Sequence, residues 1–370
     1  MGFMKTLALI VPCIAVIIGG INTLAPELWL KIPKIGFIPW AIGGGIMPPF
    51  FFFDAFKPEN FAGFIHDGDV IVSTQPKAGT NWMLYTLHQI RTKGTNDPPF
   101  VEQQYNTPWL SLRHKPGQSW EEISDLMNNT ILPDGVPLKD RWDHPKYPFR
   151  VFKGHEAPLK EGGGREECLP IEQFPKVKFI GMIRTSRDVM HSFFSFFSTH
   201  SDAFKALWGG FPPSYSNAKE VVDDFVPGGK LYHLYFGYVK QWWPYRHHKN
   251  VLFEHYNNYK NDPTAFIKKV ADFVEVELTS EQVEKIADLT SFEKMKHLQD
   301  NFKVTMWGIS PMVNALKTKE EQGMFFKSGK AGAGKTFLTP ELEEKWSAAL
   351  KSEFTDPDMM RYAEEGGVLP

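Results

Sequence analysis

The chain has 370 residues, with 41 basic and 43 acidic side chains and a formal net charge of −2. This near balance excludes a globally basic nucleic-acid-binding protein, so any anion site must be local. With only two cysteines, a disulfide framework is excluded, while 31 Phe and 11 Trp indicate a large buried core.

The N-terminal region, residues 1–60, is predicted to be a hydrophobic anchor or signal region. Residues 6–26 contain no charged side chain, and about 20 such residues span a bilayer as a helix. A retained anchor is favoured over a cleaved signal peptide, because no small-residue cleavage pattern is convincing. An apolar helix packed on the domain is the third interpretation. A second uncharged stretch, residues 35–53, is broken by Pro39 and by glycines, which indicates an interfacial or re-entrant segment.

The membrane orientation is predicted from charges. For a membrane-associated protein, Lys31, Lys34 and Lys57 favour a cytosolic location of the domain that follows them. Asn128 begins an Asn-Asn-Thr glycosylation sequon, which would be used only in the lumen. The luminal orientation therefore stays open.

One catalytic domain is predicted over residues 61–362. Short apolar runs typical of buried parallel strands lie at residues 70–72, 149–152, 177–183 and 251–253. Helical patterns alternate with these runs at residues 81–91, 187–199 and 231–245, and Asp262, Thr279 and Thr339 have the pattern of helix N-caps. The alternation predicts a single-domain α/β fold with a mainly parallel central sheet flanked by helices. Ligands of such sheets bind beyond the carboxyl ends of the strands.

The turn after the first predicted strand, residues 75–80, has the composition of an anion-binding loop. Backbone N–H groups are unpaired at the start of the following helix, and the helix dipole favours negative charge there. Lys77 adds a mobile charge and Thr80 a hydroxyl donor. The alternative is an ordinary strand–turn–helix junction with a solvated lysine.

The second predicted strand ends in Lys153, Gly154 and His155. The ordinary pKa of histidine lies near neutrality, so His155 suits a general base. Lys153 would stabilise charge developing on a transferred group. The alternative is that His155 only caps the strand end.

The third predicted strand ends at Arg184, and a helix follows near Arg187. Arg184 can pair with a phosphate through two hydrogen bonds. Ser192, eight residues on, lies two helical turns away and faces the same region. The alternative is a structural ion pair between Arg184 and Asp188.

A fourth motif matches the complete Walker A pattern from Gly329 to Thr336. Its context argues against an NTPase, since only 34 residues follow Thr336 and the next helix begins after Thr339. The histidines show no metal-ligand spacing, so no metal is predicted.

Together these motifs resemble those of the cytosolic-type sulfotransferase family, which uses 3′-phosphoadenosine 5′-phosphosulfate (PAPS). QPKAGTNW (75–82) is similar to that family's 5′-phosphosulfate loop, FKGHEAP (152–158) to its catalytic-histidine segment, and IRTSRDVMHSFF (183–194) to its 3′-phosphate motif. VLFEHYNNYKNDP (251–263), TSFEKMK (290–296) and FFKSGKAG (325–332) resemble three further nucleotide-contacting segments. Six motifs in this order imply a P-loop-like sulfotransferase fold.

The resemblance implies sulfuryl transfer from PAPS to a hydroxyl or amine of a small hydrophobic acceptor, without a metal. His155, Lys77 and Lys153 would be catalytic, and Trp82 and Phe292 would sandwich the adenine. The implied cofactor-binding residues are Lys77, Ala78, Gly79, Thr80, Asn81, Trp82, Arg184, Ser192, Tyr256, Thr290, Phe292, Lys327, Ser328 and Gly329. The acceptor pocket is expected along residues 98–109 and 142–149, which are rich in aromatics and proline.

The chain departs from the family pattern in three regions. Gln75 replaces an aromatic, and Asn81 replaces a threonine, although an amide still donates a hydrogen bond. Lys327-Ser328 and Ala333-Gly334 replace Arg-Lys and Asp-Trp. Pro340 replaces the valine of a dimerisation pattern otherwise matched at Lys335, Thr339 and Glu344, which leaves a homodimer open. A P-loop NTPase or kinase and a non-catalytic membrane-tethered nucleotide binder remain the alternatives.

Overall fold

The computed structural model describes residues 53–115, 117–158, 167–208, 212, 214–308, 312–318, 326 and 332–370. In these residues no helix has the length and apolar character needed to cross a bilayer. Residues 1–52 of the predicted N-terminal anchor or signal region, residues 1–60, lie outside the described residues. Lys327, Ser328 and Gly329 of the predicted nucleotide site also lie outside them.

Four strands form the central sheet: β1 (Val70–Ser73), β2 (Val151–Gly154), β5 (Lys178–Ile183) and β6 (Val251–His255). Within the sheet they are parallel and lie in the order β2-β1-β5-β6. Two small pairs accompany it: β3 (Ala157–Pro158) with β4 (Glu167–Leu169), and β7 (Thr305–Met306) with β8 (Val313–Asn314). The predicted α/β fold with a parallel central sheet is confirmed.

The second predicted strand is displaced by two residues toward its carboxyl end. Its pairing with β1 begins at Val151, opposite Val70, and continues to Gly154, opposite Ser73. Arg150 lies just before the strand, where its guanidinium forms a buried ion pair with Asp69. The apolar run alone predicted the strand too early, because Lys153 is polar and yet belongs to the strand.

The helices cover both faces of the sheet. Their bounds are α1 (Pro58–Phe64), α2 (Thr80–Arg91), α3 (Gln103–Asn106), α4 (Trp120–Asn129), α5 (Lys139–Trp142), α6 (Ser186–Phe196), α7 (Asp202–Leu207), α8 (Ala218–Phe225), α9 (Phe236–Trp242), α10 (Tyr256–Asn261), α11 (Pro263–Phe273), α12 (Ser280–Leu289), α13 (Phe292–His297), α14 (Pro340–Glu353) and α15 (Pro357–Glu365). The predicted helix over residues 231–245 is instead divided into α9 and two flanking 3-10 turns. Pro244 lies in the second turn, where it cannot donate the hydrogen bond that an α-helix requires.

The predicted N-caps are confirmed. The Asp262 side chain accepts a hydrogen bond from the Ala265 backbone at the start of α11. Thr279 forms a complete capping box with Gln282 before α12. Thr339 caps α14. Such caps depend on residues within one helical turn of each other, which is why sequence alone located them.

Alternate residues of the strands enter two separate hydrophobic clusters, one on each face of the sheet. Ile71 and Phe179 belong to one cluster, and Val70, Val72 and Ile180 to the other. Both faces are therefore apolar, as expected for a parallel sheet between helical layers. The carboxyl ends of the strands are left as the edge at which polar side chains gather.

Candidate active site

The loop between β1 and α2 has a backbone shape that suits an anion. Gly79, the N-cap of α2, has a φ of 100°, and this helix has no side-chain cap. A Cβ atom at Gly79 would lie 2.8 Å from Cδ2 of Tyr256, so the loop passes directly under that ring. Only glycine meets both requirements without strain, and the first turn of α2 stays open to a ligand.

Four other helices of the described chain have their first turn closed by a side-chain cap, whereas α6, like α2, has none, and its Ser186 amide donates instead to Glu364 at 3.2 Å. Side chains of Ser119, Asp262, Thr279 and Thr339 cap α4, α11, α12 and α14. Unpaired N–H groups at a helix start attract phosphate and sulfate. The uncapped start of α2 is therefore a suitable place for an anionic group.

The Ala78 amide, which is predicted to bind phosphate, donates to the Gln75 carbonyl at 3.0 Å in this structure. The donors left for an anion therefore begin at Gly79. Asn81 is buried in the first turn of α2, and the Thr80 hydroxyl lies 2.5 Å from that of Thr74.

Gln75, which replaces an aromatic residue of the family pattern, is held by hydrogen bonds on both sides. Its side chain is fully buried, donates to the Leu234 carbonyl at 3.1 Å and accepts from the Arg184 amide at 3.2 Å. Its own amide donates to the Met182 carbonyl. Gln75 therefore ties the phosphate loop to the end of β5 by hydrogen bonds.

His155 is held in the tautomer that a general base requires. Its Nδ1 lies 2.7 Å from the Thr74 carbonyl oxygen, which can only accept a hydrogen bond, so Nδ1 carries the proton. Burial and the positive charges of Lys153 and Lys77 lower the His155 pKa to about 3. The ring is therefore neutral at physiological pH, and the lone pair of Nε2 is available to take a proton.

Lys153 lies beside this histidine, one strand away from the phosphate loop. Its ammonium group donates to Gln103 Oε1 at 3.1 Å and lies 3.9 Å from the centroid of the Trp109 ring. Burial lowers the Lys153 pKa to about 7, although Glu102 and Glu156 oppose the change. A lysine with this pKa is charged in only part of the physiological range.

Lys77 reaches the same region from the phosphate loop. Its backbone has a φ of 71°, and its Nζ lies 3.6 Å from the centroid of the Phe196 ring. Phe196 is the last residue of α6, the helix of the predicted 3′-phosphate motif. The structure therefore brings together the three predicted catalytic residues, Lys77, Lys153 and His155, around the ends of β1 and β2.

Arg184 forms the ion pair that was the alternative interpretation of its motif. Its Nη2 lies 3.1 Å from Asp188 Oδ2, and its guanidinium carbon lies 4.8 Å from the Tyr256 ring centroid. The Arg184 Nη1 also donates to the Lys77 carbonyl at 3.4 Å. Arg184 thus lies between the phosphate loop and α6, and Ser192 is half-buried two turns along that helix.

Asp188 also holds the C-terminal loop against α6. Its carboxylate accepts hydrogen bonds from the backbone amides of Gly332 at 2.9 Å and Gly334 at 2.7 Å. A Cβ atom at Gly334 would lie 2.2 Å from the Arg187 carbonyl oxygen. This close approach explains why glycine stands where the family has a tryptophan.

The two residues of the predicted adenine sandwich, Trp82 and Phe292, each contact another aromatic ring. Trp82 stacks on Tyr259 with a centroid distance of 3.6 Å, so one face of the indole is already covered. Phe292 is half-buried and makes an edge contact with Phe326. Thr290 does not fit a direct role, because it is fully buried and its hydroxyl donates to the Ile286 carbonyl.

The predicted acceptor segments behave differently from each other. Trp109, from residues 98–109, makes an edge contact with His155 at a centroid distance of 4.9 Å. Trp142, from residues 142–149, is instead in the core, where it stacks on Phe64 and donates to the Met127 carbonyl. Tyr147 covers the guanidinium of Arg91. The second segment therefore packs away from His155.

Sequence reasoning missed a hydrophobic cluster that adjoins Trp109. Its members are Leu112, Phe204, Trp208, Val304, Met306, Val313 and Ala315. They come from distant segments without a shared motif, and the local signal was only the aromatic character of residues 204–208. This cluster supplies an apolar wall next to the catalytic groups.

The Walker A interpretation of Gly329 to Thr336 is not favoured. Its last four residues form a 3-10 helix, Ala333–Thr336, and α14 begins only at Pro340. A P-loop lysine and threonine open an α-helix directly. Within the described residues, no group of three or more His, Cys, Asp or Glu side chains could hold a metal.

Comparison with known proteins places these features in a family. Residues 67–358 match the Sulfotransferase domain family. The chain is 26% identical to sulfotransferase 1B1 of Canis lupus familiaris over 301 residues, covering 78% of this chain and 83% of that protein. It is 27% identical to sulfotransferase 1E1 of Homo sapiens over 295 residues, covering 78% and 84%. The amine sulfotransferase of Oryctolagus cuniculus is 24% identical over 299 residues, with 79% and 82% covered.

Solved structures show the same fold. Mouse sulfotransferase SULT7A1 complexed with PAP has a TM-score of 0.56 at 19% identity, covering 82% of this chain and 90% of that chain. Retinol dehydratase in complex with androsterone and the inactive cofactor PAP has a TM-score of 0.53 at 22% identity, covering 79% and 82%. The family match spans most of the chain and coincides with the sheet edge that carries His155, and the chain therefore belongs to the sulfotransferase family.

Proposed function

We propose that this protein transfers a sulfuryl group from PAPS to a hydroxyl or amine of a small hydrophobic acceptor, with His155 as general base. The observation that carries the proposal is the 2.7 Å contact between His155 Nδ1 and the Thr74 carbonyl. This contact leaves Nε2 unprotonated at the junction between the phosphate loop and the apolar cluster. A base in that position can take a proton from an acceptor bound at the apolar cluster while the acceptor attacks the sulfuryl group bound at the phosphate loop.

The fit of PAPS rests on the uncapped start of α2 and on Gly79. The N–H groups of Gly79, Thr80 and Asn81 would hold the 5′-phosphate. A Cβ atom at Gly79 would collide with Tyr256, so glycine is required at this position. Arg184 and Ser192 would hold the 3′-phosphate, together with residues 327–329. When bound, PAPS supplies the sulfuryl group and a phosphate leaving group.

The roles of the side chains follow from their charges. His155 Nε2 takes the acceptor's proton while the acceptor oxygen or nitrogen forms its bond to sulfur and the bond from sulfur to the bridging oxygen breaks. The electron pair of the broken bond stays on that bridging oxygen. Lys77 and Lys153 stabilise the negative charge that develops there, and they need no proton transfer to do so.

A hydrophobic acceptor is supported by the residues around His155. Trp109 contacts the histidine, and Phe204, Trp208 and Met306 extend the same apolar wall. One structural relative was solved with androsterone, a small hydrophobic molecule, although that protein shares only 22% identity with this chain. A phenol, sterol or other hydrophobic alcohol therefore suits the pocket better than a charged acceptor.

We also propose that the protein is membrane-associated through residues 1–60, with the domain of residues 61–362 in the cytosol. The uncharged stretch of residues 6–26 supports the anchor, and nearby lysines support the orientation. A mobility shift after glycosidase treatment, lost in Asn128→Gln, would place the domain in the lumen instead. Homodimerisation stays a prediction, since the described role of Thr339 is to cap α14.

The test of the main proposal is incubation with labelled PAPS and a panel of phenols, sterols and amines. We expect label transfer that is insensitive to chelators and lost in Lys77→Ala and His155→Ala. An NTPase would need magnesium and would depend on Lys335. No transfer to any acceptor, together with no thermal shift from 3′,5′-adenosine bisphosphate, would overturn the proposal. A thermal shift without transfer would support the non-catalytic binder.

A further inference from the structure

A buried carboxylate lies directly behind the proposed catalytic histidine. Glu156 is 3% exposed, and its side chain turns back toward the strand end that carries His155. Its Oε2 accepts the His155 backbone N–H at 2.8 Å. Its Oε1 accepts a hydrogen bond from the Ser111 hydroxyl. Glu156 therefore contacts both the histidine and the segment that supplies Trp109.

The same carboxylate reaches the end of β1. The Ser73 hydroxyl lies 3.2 Å from Glu156 Oε2 and 2.8 Å from the Glu156 carbonyl oxygen. Ser73 precedes Thr74, whose carbonyl fixes the His155 tautomer. The Ser73 carbonyl is itself bonded by the Tyr238 hydroxyl. One side chain thus joins the three segments that orient the histidine.

Gly154 provides the space for this arrangement. A Cβ atom at residue 154 would lie 2.1 Å from Glu156 Oε2 and 3.0 Å from the Ser73 hydroxyl oxygen. The collision with the carboxylate is far closer than any real contact, so a side chain there would displace it. Glycine at this position is therefore explained by Glu156 and not by a turn.

The surroundings of Glu156 also include the lysine of the site. Lys153 contacts the same segment as Glu156, with its ammonium 3.9 Å from the centroid of the Trp109 ring, two residues before Ser111. The charge of Glu156 raises the pKa of Lys153 against the lowering effect of burial. Burial raises the pKa of Glu156, whereas the donors from Ser111, Ser73 and His155 oppose that rise. A negative charge on Glu156 therefore favours the protonated form of Lys153.

We propose that Glu156 is a positioning residue that orients His155 and keeps Lys153 protonated for catalysis. This inference rests on the proposed function. In this proposal Glu156 contacts neither PAPS nor the acceptor. Replacing Glu156 is therefore expected to change kcat and the pH profile, and not the KM for PAPS.

The experiment is the variant Glu156→Gln, measured in the full chain with labelled PAPS and the best acceptor of the panel. The amide keeps the shape, and the Ser111 hydroxyl can turn to accept from it, so the charge is the main loss. We expect kcat to fall about ten- to a hundredfold with an unchanged KM for PAPS. The alkaline limb of the kcat profile should move to lower pH, because Lys153 loses a stabilising negative charge.

Two further variants keep this test decisive. Asp69→Asn breaks the buried pair with Arg150 at the other end of β1, so it should lower stability without moving the pH profile. Ser111→Ala removes one donor to Glu156 and should shift the profile in the same direction by less, even if Glu156→Gln fails to fold. An unmoved profile in Ser111→Ala and Glu156→Gln, with transfer by the unmodified protein intact, would overturn the inference. No transfer by the unmodified protein would overturn the proposed function instead.

Discussion

The two ends of the proposed nucleotide site are built in different ways. At the 5′-phosphate end, Gly79, Gln75 and Thr74 are fixed by backbone geometry and hydrogen bonds within the folded core. At the 3′-phosphate end, Arg184 is already paired with Asp188, which also holds the amides of Gly332 and Gly334. The 5′-phosphate end can bind an anion without rearrangement, whereas at the 3′-phosphate end Arg184 must bind the phosphate while it is paired with Asp188.

This difference indicates how the work of binding is divided. A preformed cradle loses little entropy when a phosphate enters, so it suits the group at which chemistry occurs. A paired arginine gives up part of an existing interaction when it binds, so it adds selectivity more than affinity. The following predictions test this division, beginning with the largest expected effect.

Removing the general base should slow sulfuryl transfer at the 5′-phosphate end without weakening nucleotide binding. For His155→Ala we expect kcat to fall about 10²- to 10⁴-fold. The thermal shift with 3′,5′-adenosine bisphosphate should be unchanged, because His155 bonds to Thr74 and not to the phosphate loop amides. Loss of that shift in the variant would show that the two functions are not separate.

Adding a side chain at Gly79, in the loop that forms the 5′-phosphate end, should weaken the binding of PAPS there. In Gly79→Ala the methyl group meets Tyr256 at 2.8 Å, and the φ of 100° is unfavourable for alanine. Strain of about 1–3 kcal/mol corresponds to a roughly 5- to 160-fold loss in kcat/KM for PAPS. Gly63→Ala is the matched control, since Gly63 is in α1 with no atom near the added methyl. Equal activity in both variants would contradict the cradle.

The pH profile should report Lys153. Its pKa is lowered to about 7, and the protonated form is the active one, so kcat/KM is full below that pH and lost as pH rises through it. Between pH 6 and pH 8 a single group of this pKa predicts about a tenfold decrease. His155, with a pKa of about 3, stays neutral across this range and adds no acid limb near neutrality. Initial rates at constant ionic strength test this, and a rising profile would contradict it.

The smallest effect should come from weakening the 3′-phosphate end, where Asp188 holds Arg184 and the C-terminal loop. Asp188→Asn keeps one acceptor oxygen but leaves one of the Gly332 and Gly334 amides without its bond. We expect the affinity for 3′,5′-adenosine bisphosphate, measured by calorimetry, to fall about fivefold with little change in kcat. If kcat fell by as much as in His155→Ala, the two ends would not be separable.

The parts of the molecule that sequence predicted well are those decided by neighbouring residues. The caps at Asp262, Thr279 and Thr339 and the apolar strand runs are local patterns, and the structure contains them. His155 and Arg184 were located because each follows a strand, and parallel strands bring their carboxyl ends to one edge.

What sequence could not predict depends on contacts between distant segments. Trp142 was expected near the acceptor, but it stacks on Phe64 in the core. The side chain of Gln75 joins the loop to Leu234 and Arg184, contacts that no local pattern indicates. Glu156 lies inside the histidine segment of residues 152–158, but sequence patterns assigned it no role, because its partners Ser73 and Ser111 come from segments far from it along the chain.

The left-handed backbone of Lys77 sets stability against activity in this protein. A lysine at a φ of 71° costs of the order of 1 kcal/mol, a cost that glycine would not have. Replacing Lys77 with glycine would relax the backbone and also delete the mobile charge at the opening of α2. A more thermostable form obtained at this position would therefore be an inactive one, suited to trapping PAPS and acceptor together before reaction.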